Sequence, residues 1–349
     1  MKTAIIKQLL DVFGPWSSIK WSDTTPLGLF DIWPGKALYW ELTCMLQADW
    51  YIVPVSLEGA YLRDAIKKQP GRAQMVQKFT KNVTEVAAIP FENYDLVITI
   101  DNILDVPPGL PNLFAFYAQE HWDPIYAHSL RRPLNGYDLF LAHMLDAPGE
   151  FRGLPQSVSF PYLHDPAVIR PVFSPPRQDI TWMDWRTVVT LTNQPLDSSW
   201  SPQTDATLLR AQETLGLPVR CGSASKSKSY FIADEPSWGD AADYTRALAE
   251  CRYYIALGRL AGAGQGLAEA TALGCLCIGQ SDRAYHRLLC HPKFLLDDLF
   301  DLPARLQLLR QSSDLQQEVL AHQDRNLILH FRDRPLALLH QALQMKRKS

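Results

Sequence analysis

Short apolar runs alternate with longer segments of helical period along this chain. In the first half the runs fall at residues 50–55, 94–100, 113–118, 137–142 and 158–162, each nearly continuous in apolar character, as strands buried on both faces require. Residues 37–48 and 57–69 carry helical spacing; 4–13 reads as a helix or as a strand ending at Gly14, and 74–87 as a helix or a loop. In the second half, runs at 187–192, 218–221, 253–257, 275–278 and 294–296 predict strands. Segments 204–216, 240–251 and 267–273, a stretch starting at Leu302-Pro303, and 314–344 with a break near Pro335 predict helices. Residues 164–180 hold four prolines and no clear period, which predicts an interdomain linker. The alternation predicts an α/β chain of two Rossmann-like domains, 1–170 and 171–325, followed by a C-terminal helix over 326–349.

In open α/β sheets, ligands bind just beyond the carboxyl ends of the strands. Asp101, Glu120, His121, Asp123, His143 and His164 follow first-half runs and are therefore candidate cleft residues. The N-terminal segment is crowded with Trp16, Trp21, Trp33 and Trp40, side chains that serve either as core or as platforms for a sugar ring. Trp16 and Trp122, with Asp101, are the candidates for holding an acceptor.

The stretch from Tyr253 to Gly279 carries the most chemistry. An apolar run, a turn with four glycines between Gly258 and Gly266, a helix ending at Gly274 and a second apolar run make one βαβ unit. A helix start offers unpaired N–H groups and the positive end of the peptide dipoles, and glycines let an anion approach the backbone. Gly264, Gln265 and Gly266 are thus candidates for a pyrophosphate site, with Arg259 adding charge. Glu269 has no apolar role in its helix and suits the hydroxyls of a ribose. Equally, the glycines serve only to tighten a turn and Glu269 faces water. Lys226 and Lys228, in a polar loop at 222–229, are further candidates for phosphate or base, and the loop reads equally as solvated surface. Asn193 follows the run at 187–192, at what would be a strand's C-terminal end.

The order helix, strand, glycine turn, Glu-containing helix, Ala-Leu-Gly, strand resembles the donor half of GT-B fold glycosyltransferases, especially the retaining-type group with two Glu separated by seven residues. Glu269-Ala270-Thr271-Ala272-Leu273-Gly274 fits the second Glu, which in that family binds the donor ribose; the first would fall at 261, here Ala261. The resemblance covers about residues 240–280 closely and the rest in layout. It implies two domains facing a central cleft and a terminal helix crossing back to the first. It also implies a nucleotide-sugar held by the second domain and a glycan, lipid-linked or small-molecule acceptor held by the first. Leaving-group departure needs positive charge near the β-phosphate, for which Arg259, Lys226 and Lys228 are the candidates. An inverting reaction needs a base on the acceptor hydroxyl, for which His121 stands first, with Glu120 and Asp123 beside it; a retaining one does not. Two other readings remain: a nucleotide-sugar epimerase of the same fold, and a non-catalytic partner subunit whose donor site has degenerated, as Ala261 allows.

Composition adds limits. The 349 residues suffice for two domains, and 47% apolar with 20% charged residues describes a soluble globular chain. A net charge of −3 gives no basic field for nucleic acid, so no nucleic-acid partner is expected. Six scattered cysteines suit a reducing cytoplasm, with Cys275 and Cys277 read as core; no metal and no cofactor beyond the sugar nucleotide are expected. Lys346-Arg347-Lys348 form a short basic end, which reads first as a disordered tail and second as a weak attraction for the inner face of an anionic membrane.

Overall fold

The computed structural model describes residues 1–8, 37–53, 86–100, 104, 106, 109–118, 134, 136–142, 156–193, 203–222, 230–231, 241–257 and 265–348. Of these, one compact unit takes the residues within 1–15, 42–161 and 335–349, and a second those within 16–41 and 162–334. Each is α/β and Rossmann-like.

In the first unit the strands are β1 (Thr3–Gln8), β2 (Ala48–Val53), β3 (Leu96–Ile100), β4 (Leu113–Ala118), β5 (Leu139–Ala142) and β6 (Gln156–Ser159); α1 (Ala37–Leu46), whose residues up to Glu41 count with the second unit, leads into β2. All pair in parallel, in the order β2-β1-β3-β4-β5-β6. The open alternative for residues 4–13 resolves as a strand, because Ala4, Ile5 and Ile6 are all fully buried between two neighbours. Phe114, Phe116, Tyr137 and Phe140 fill one face of the sheet. The Tyr137 hydroxyl lies 3.0 Å from Thr99 Oγ1 and accepts from the Leu104 N–H at 3.0 Å. Asn112 donates to the Phe91 and Tyr94 carbonyls and so closes the turn ahead of β4. At the chain's end Lys346 pairs with Asp138 at 2.7 Å and Arg347 with Asp95 at 2.5 Å, so both basic side chains are engaged by this unit.

The second unit begins with α2 (Pro166–Ile169), β7 (Gln178–Asp184), α3 (Trp185–Leu191), α4 (Gln203–Leu215), β8 (Val219–Gly222) and β9 (Tyr230–Phe231). It continues with α5 (Ala241–Glu250), β10 (Cys251–Ile255), α6 (Gln265–Leu273), β11 (Leu276–Gln280), α7 (Ala284–Leu289), β12 (Leu295–Leu296), α8 (Leu302–Gln311) and α9 (Ser313–Ile328). A π-helical turn (Leu329–Asp333) then leads into α10 (Arg334–Lys346). The sheet order is β12-β11-β10-β7-β8-β9, parallel except at the β9 edge. Counted from β7 this is the 3-2-1-4-5-6 order of dinucleotide-binding sheets. Tyr253 and Ile255 point into one apolar cluster and Tyr254 into the other, the alternation a strand imposes. Cys275 and Cys277 are core as expected, fully buried, with their thiols against backbone carbonyls. Because β12 pairs only with Gly279 and Gln280, the start of β11 needs another partner, and buried Gln323 of α9 bonds both the Cys277 N–H and the Cys275 carbonyl.

Two expectations are corrected here. The run at 187–192 is not a strand: it lies in α3, although Thr187, Val188, Val189 and Thr190 favour strands, because tertiary packing overrides propensity. The strand is β7, which begins in the last three residues of the segment expected to be a linker and runs on beyond it; its polar ends, Gln178, Asp179 and Asp184, hid the buried centre Thr181-Trp182-Met183. The same segment holds α2, N-capped by Asp165, whose carboxylate accepts from the Ala167 N–H at 2.9 Å, with Pro166 in the first turn.

Candidate functional site

The strand order of the second sheet reverses between β7 and β10, and that reversal is where ligands seat beyond the strand ends. The two ends are tied there: the Leu257 N–H donates to Thr187 Oγ1 at 3.0 Å, and the Ala256 N–H to the Ile278 carbonyl at 3.0 Å. The chain therefore leaves β10 in a fixed direction and reappears as α6.

Helix α6 is built from small, helix-favouring residues, and Ala268, Ala270 and Ala272 are buried. It is stopped by Gly274 at φ +85°, with the Gly274 N–H on the Thr271 carbonyl at 2.8 Å and the Cys275 N–H on the Ala270 carbonyl at 2.8 Å. Its remaining end carbonyls are taken by two guanidinium groups. Arg170 donates to the Ala272 and Thr271 carbonyls at 2.9 and 3.2 Å, and Arg177 to the Leu273 carbonyl. Arg170 also grips Asp324 of α9 through two bonds of 2.8 and 2.5 Å. Positive charge at a helix C-terminus is favourable, so this end of α6 is held firmly. At the other end, a Cβ on Gly266 would stand 2.6 Å from the Tyr254 hydroxyl, so close packing on β10 by itself requires glycine there.

Glu269 lies in the second turn of α6 and is only 5% exposed. Its negative charge acts on His164, a fully buried histidine in the strand-to-helix connection ahead of α2. On the Nδ1 side His164 meets a second carboxylate: Glu41 Oε2 lies 2.7 Å from Nδ1, and Glu41 Oε1 accepts the Asp165 N–H at 2.8 Å. Burial opposes the charged imidazole, but the charge and hydrogen bond of Glu41 and the charge of Glu269 outweigh it, and the His164 pKa is raised above its ordinary value. His164 Nε2 is buried with no hydrogen-bond partner among the described residues. The backbone is pinned around it: the His164 N–H donates to the Phe331 carbonyl at 3.0 Å, and Arg332 bridges to Asp165 at 3.0 Å. The result is a buried imidazolium paired with the Glu41 carboxylate, two groups drawn from distant parts of the chain, and it can hold a proton at Nδ1.

Of the candidates named from sequence, Glu269, Gln265 and Gly266 sit together on α6. Asn193 does not follow a strand; it comes after α3, exposed and at φ +50°, well past the end of β7. Trp16, Asp101, Glu120, His121, Trp122, Asp123, His143, Lys226, Lys228, Arg259 and Gly264 lie outside the described residues. Glu41 was missed. Its signal was available: it is the one charged residue in the apolar helix ALYWELTCML.

No protein-family model matches the sequence, and no curated protein does. Among solved structures the chain is similar to an alpha-glucosyltransferase in complex with UDP and a 13-mer DNA containing a central A:G mismatch, at a TM-score of 0.52 and 10% identity over 99% of this chain and 100% of that one. It is similar also to the DNA modifying enzyme beta-glucosyltransferase (TM-score 0.49, 10% identity, 99% and 100% covered). A third is T4 phage BGT in complex with UDP and Mn2+ (TM-score 0.48, 12% identity, 98% and 99% covered). At such identities the likeness is one of fold, and the fold is that of GT-B glycosyltransferases.

Two expectations are corrected by these neighbours. The absence of a nucleic-acid partner fails as a rule for this fold, since the alpha-glucosyltransferase is bound to DNA; overall net charge says nothing of a local surface. The expectation of no metal is overturned likewise: T4 phage BGT is solved in complex with UDP and Mn2+. The described residues of the present chain gather no group of three or more side chains suited to a metal ion.

Proposed function

We propose that this chain is a glycosyltransferase that moves a sugar from a nucleotide-sugar to an acceptor hydroxyl. The observation that carries the reading is Glu269: a buried carboxylate on the helix that follows β10, at the reversal of strand order. Likeness in fold to a glucosyltransferase solved with UDP supports it. In this reading the second domain, 171–325, takes the donor, with the pyrophosphate at Gly264, Gln265 and Gly266 and the ribose hydroxyls donating to Glu269. Arg259, Lys226 and Lys228 offset charge on the departing diphosphate. The first domain, 1–170, takes the acceptor through Trp16, Trp122 and Asp101, and residues 326–349 complete it. The bond from the sugar carbon to the phosphate oxygen breaks and a bond to the acceptor oxygen forms. If configuration inverts, the acceptor proton passes to His121, with Glu120 and Asp123 alongside.

The test is a thermal-shift screen against UDP-, GDP-, ADP-, dTDP- and CMP-linked sugars, since a ligand of the folded state raises its melting temperature. One class should shift wild type strongly, and Glu269→Ala should keep its fold yet lose about tenfold or more in nucleotide affinity, one charge-assisted contact. A flat screen, or wild-type affinity in the variant, would sink the reading. Turnover is then assayed on glycan, lipid-linked and small-molecule acceptors and on DNA duplexes bearing hydroxylated bases. Sugar release to none of these, with the sugar isomerised instead, would favour an epimerase.

A further inference from the structure

We infer that Gln280 and His286 form the subsite for the transferred sugar, one offering an acceptor and the other an N–H donor to its ring hydroxyls. The inference rests on the donor role proposed for the second domain.

Position comes first. Ile255 of β10 pairs with Ile278 of β11, so Gln280 stands level with Leu257, where the chain leaves β10 at the carboxyl edge of the sheet. Helices α6 and α7 follow β10 and β11 in turn. Both pack into the same apolar cluster, α6 through Leu267 and Ala268 and α7 through Tyr285 and Leu289. Their starts therefore lie side by side on that edge, about 8–10 Å apart as packed helices are. A diphosphate held at the start of α6 brings the sugar it carries within reach of the start of α7.

The second observation is that this loop is fixed before any ligand arrives. The Gln280 N–H donates to His286 Nδ1 at 2.9 Å, which makes Nδ1 an acceptor and leaves the proton on Nε2. Packing holds the ring in place: a Cβ on Gly279 would stand 2.9 Å from His286 Cβ and Cγ. Burial and the charge of Arg283 lower the His286 pKa to about 4, so the ring is neutral at neutral pH. The loop is tied on its other side as well. The Ser281 N–H donates to the Leu296 carbonyl at 3.0 Å, the Ser281 hydroxyl to Asp297, and Arg287 to the Ser281 carbonyl at 2.8 Å. Contacts set in advance lose little entropy on binding.

The chemistry selects the ligand. Gln280 Oε1 is buried and accepts from nothing among the described residues. Thr3, Asn112, Thr181 and Tyr253 also have such atoms, but within strands or ahead of them. Gln280 differs in closing its strand at the ligand edge, with a donor fixed by its own backbone in the same loop. A neutral Nε2–H and an amide oxygen together suit a group that both accepts and donates, which a sugar hydroxyl does and an ionised phosphate oxygen does not.

The test compares two ligands by calorimetry. One is the sugar nucleotide that raises the melting temperature most in the thermal-shift screen; the other is its parent without the sugar, UDP for a UDP-sugar and likewise for GDP, ADP, dTDP or CMP. Wild type should bind the sugar-linked form more tightly. Gln280→Leu and His286→Phe should each lose about five- to tenfold for the sugar-linked form, as for one hydrogen bond, and bind the bare nucleotide as wild type does. His286→Gln, which keeps an N–H donor, should lose less than His286→Phe. If both ligands weaken alike, the two residues only hold the loop; if neither weakens, they touch no ligand. Either result overturns the subsite and leaves the donor reading standing. A wild type that binds neither ligand overturns the donor reading, and the subsite with it. Should His286→Phe not fold, Gln280→Leu decides alone, since it keeps the backbone bond to His286.

Discussion

The buried polar side chains differ in kind between the two units. Among the described residues the first unit buries only neutral ones, Thr3, Thr99 and Asn112, whereas the second buries, besides threonines and Gln323, the ionisable Glu41, His164, Asp165, Arg220, Glu269 and His291. A neutral group needs no counter-charge: Asn112 donates through its amide to the Phe91 and Tyr94 carbonyls, while its Oδ1 is buried without a hydrogen-bond partner among the described residues. A buried charge must bring its counter-charge with it, and the chain must be folded so that both arrive together. Arg220 and Glu250 do this as an ordinary structural pair at 2.6 Å. Glu41 and His164 do it at 2.7 Å, with Nε2 of the ring left without a hydrogen-bond partner among the described residues.

The sharpest way to break this contrast is His164→Ala, which leaves Glu41 without its cation. It should cost about 3–5 kcal/mol in denaturant unfolding, the range for stranding one partner of a buried pair. The same group sets a pH dependence. Its folded pKa is raised, so its contribution is complete below the ordinary value of 6.5 and is lost as pH climbs through the raised value. Melting temperature should therefore fall from neutral to alkaline pH in wild type and fall less in His164→Gln. In the first unit, Asn112→Ala should cost less, about 1–3 kcal/mol, and show no such dependence on pH; a loss matching that of His164→Ala would erase the distinction between the units. The smallest effect belongs to the half-exposed pair of Lys346 and Asp138, where a double-mutant cycle should return a coupling of about 0.5 kcal/mol that shrinks with added salt.

Much of the scaffold was legible in the sequence because a continuous apolar run leaves a parallel strand few alternatives, as at Leu113–Ala118. The stop at Gly274 was legible too, since a left-handed C-cap favours glycine. What misled was local propensity. Thr187, Val188 and Thr190 favour strands, yet they sit in a helix whose Thr187 hydroxyl is needed to receive the Leu257 N–H. Of the site, Glu269 was visible as a carboxylate with no reason to be in an apolar helix, and His164 as a polar group beyond a run. Their link to Glu41 was not, because a bond spanning 123 residues leaves no trace in periodicity.

The run from α9 into α10 has a further consequence. Its buried positions, Val319, Gln323, Leu327, Phe331, Pro335, Leu339 and Leu343, recur every fourth residue. A straight helix advances about 100° per residue, so such a stripe drifts about 40° per step and winds around the rod like a thread on a screw. Val319 accordingly beds in one apolar cluster, and Leu327 and Phe331 in the other. Length is therefore as constrained as composition in this segment: one residue gained or lost between Val319 and Leu327 would rotate everything downstream by about 100° and point each anchor at the wrong neighbour.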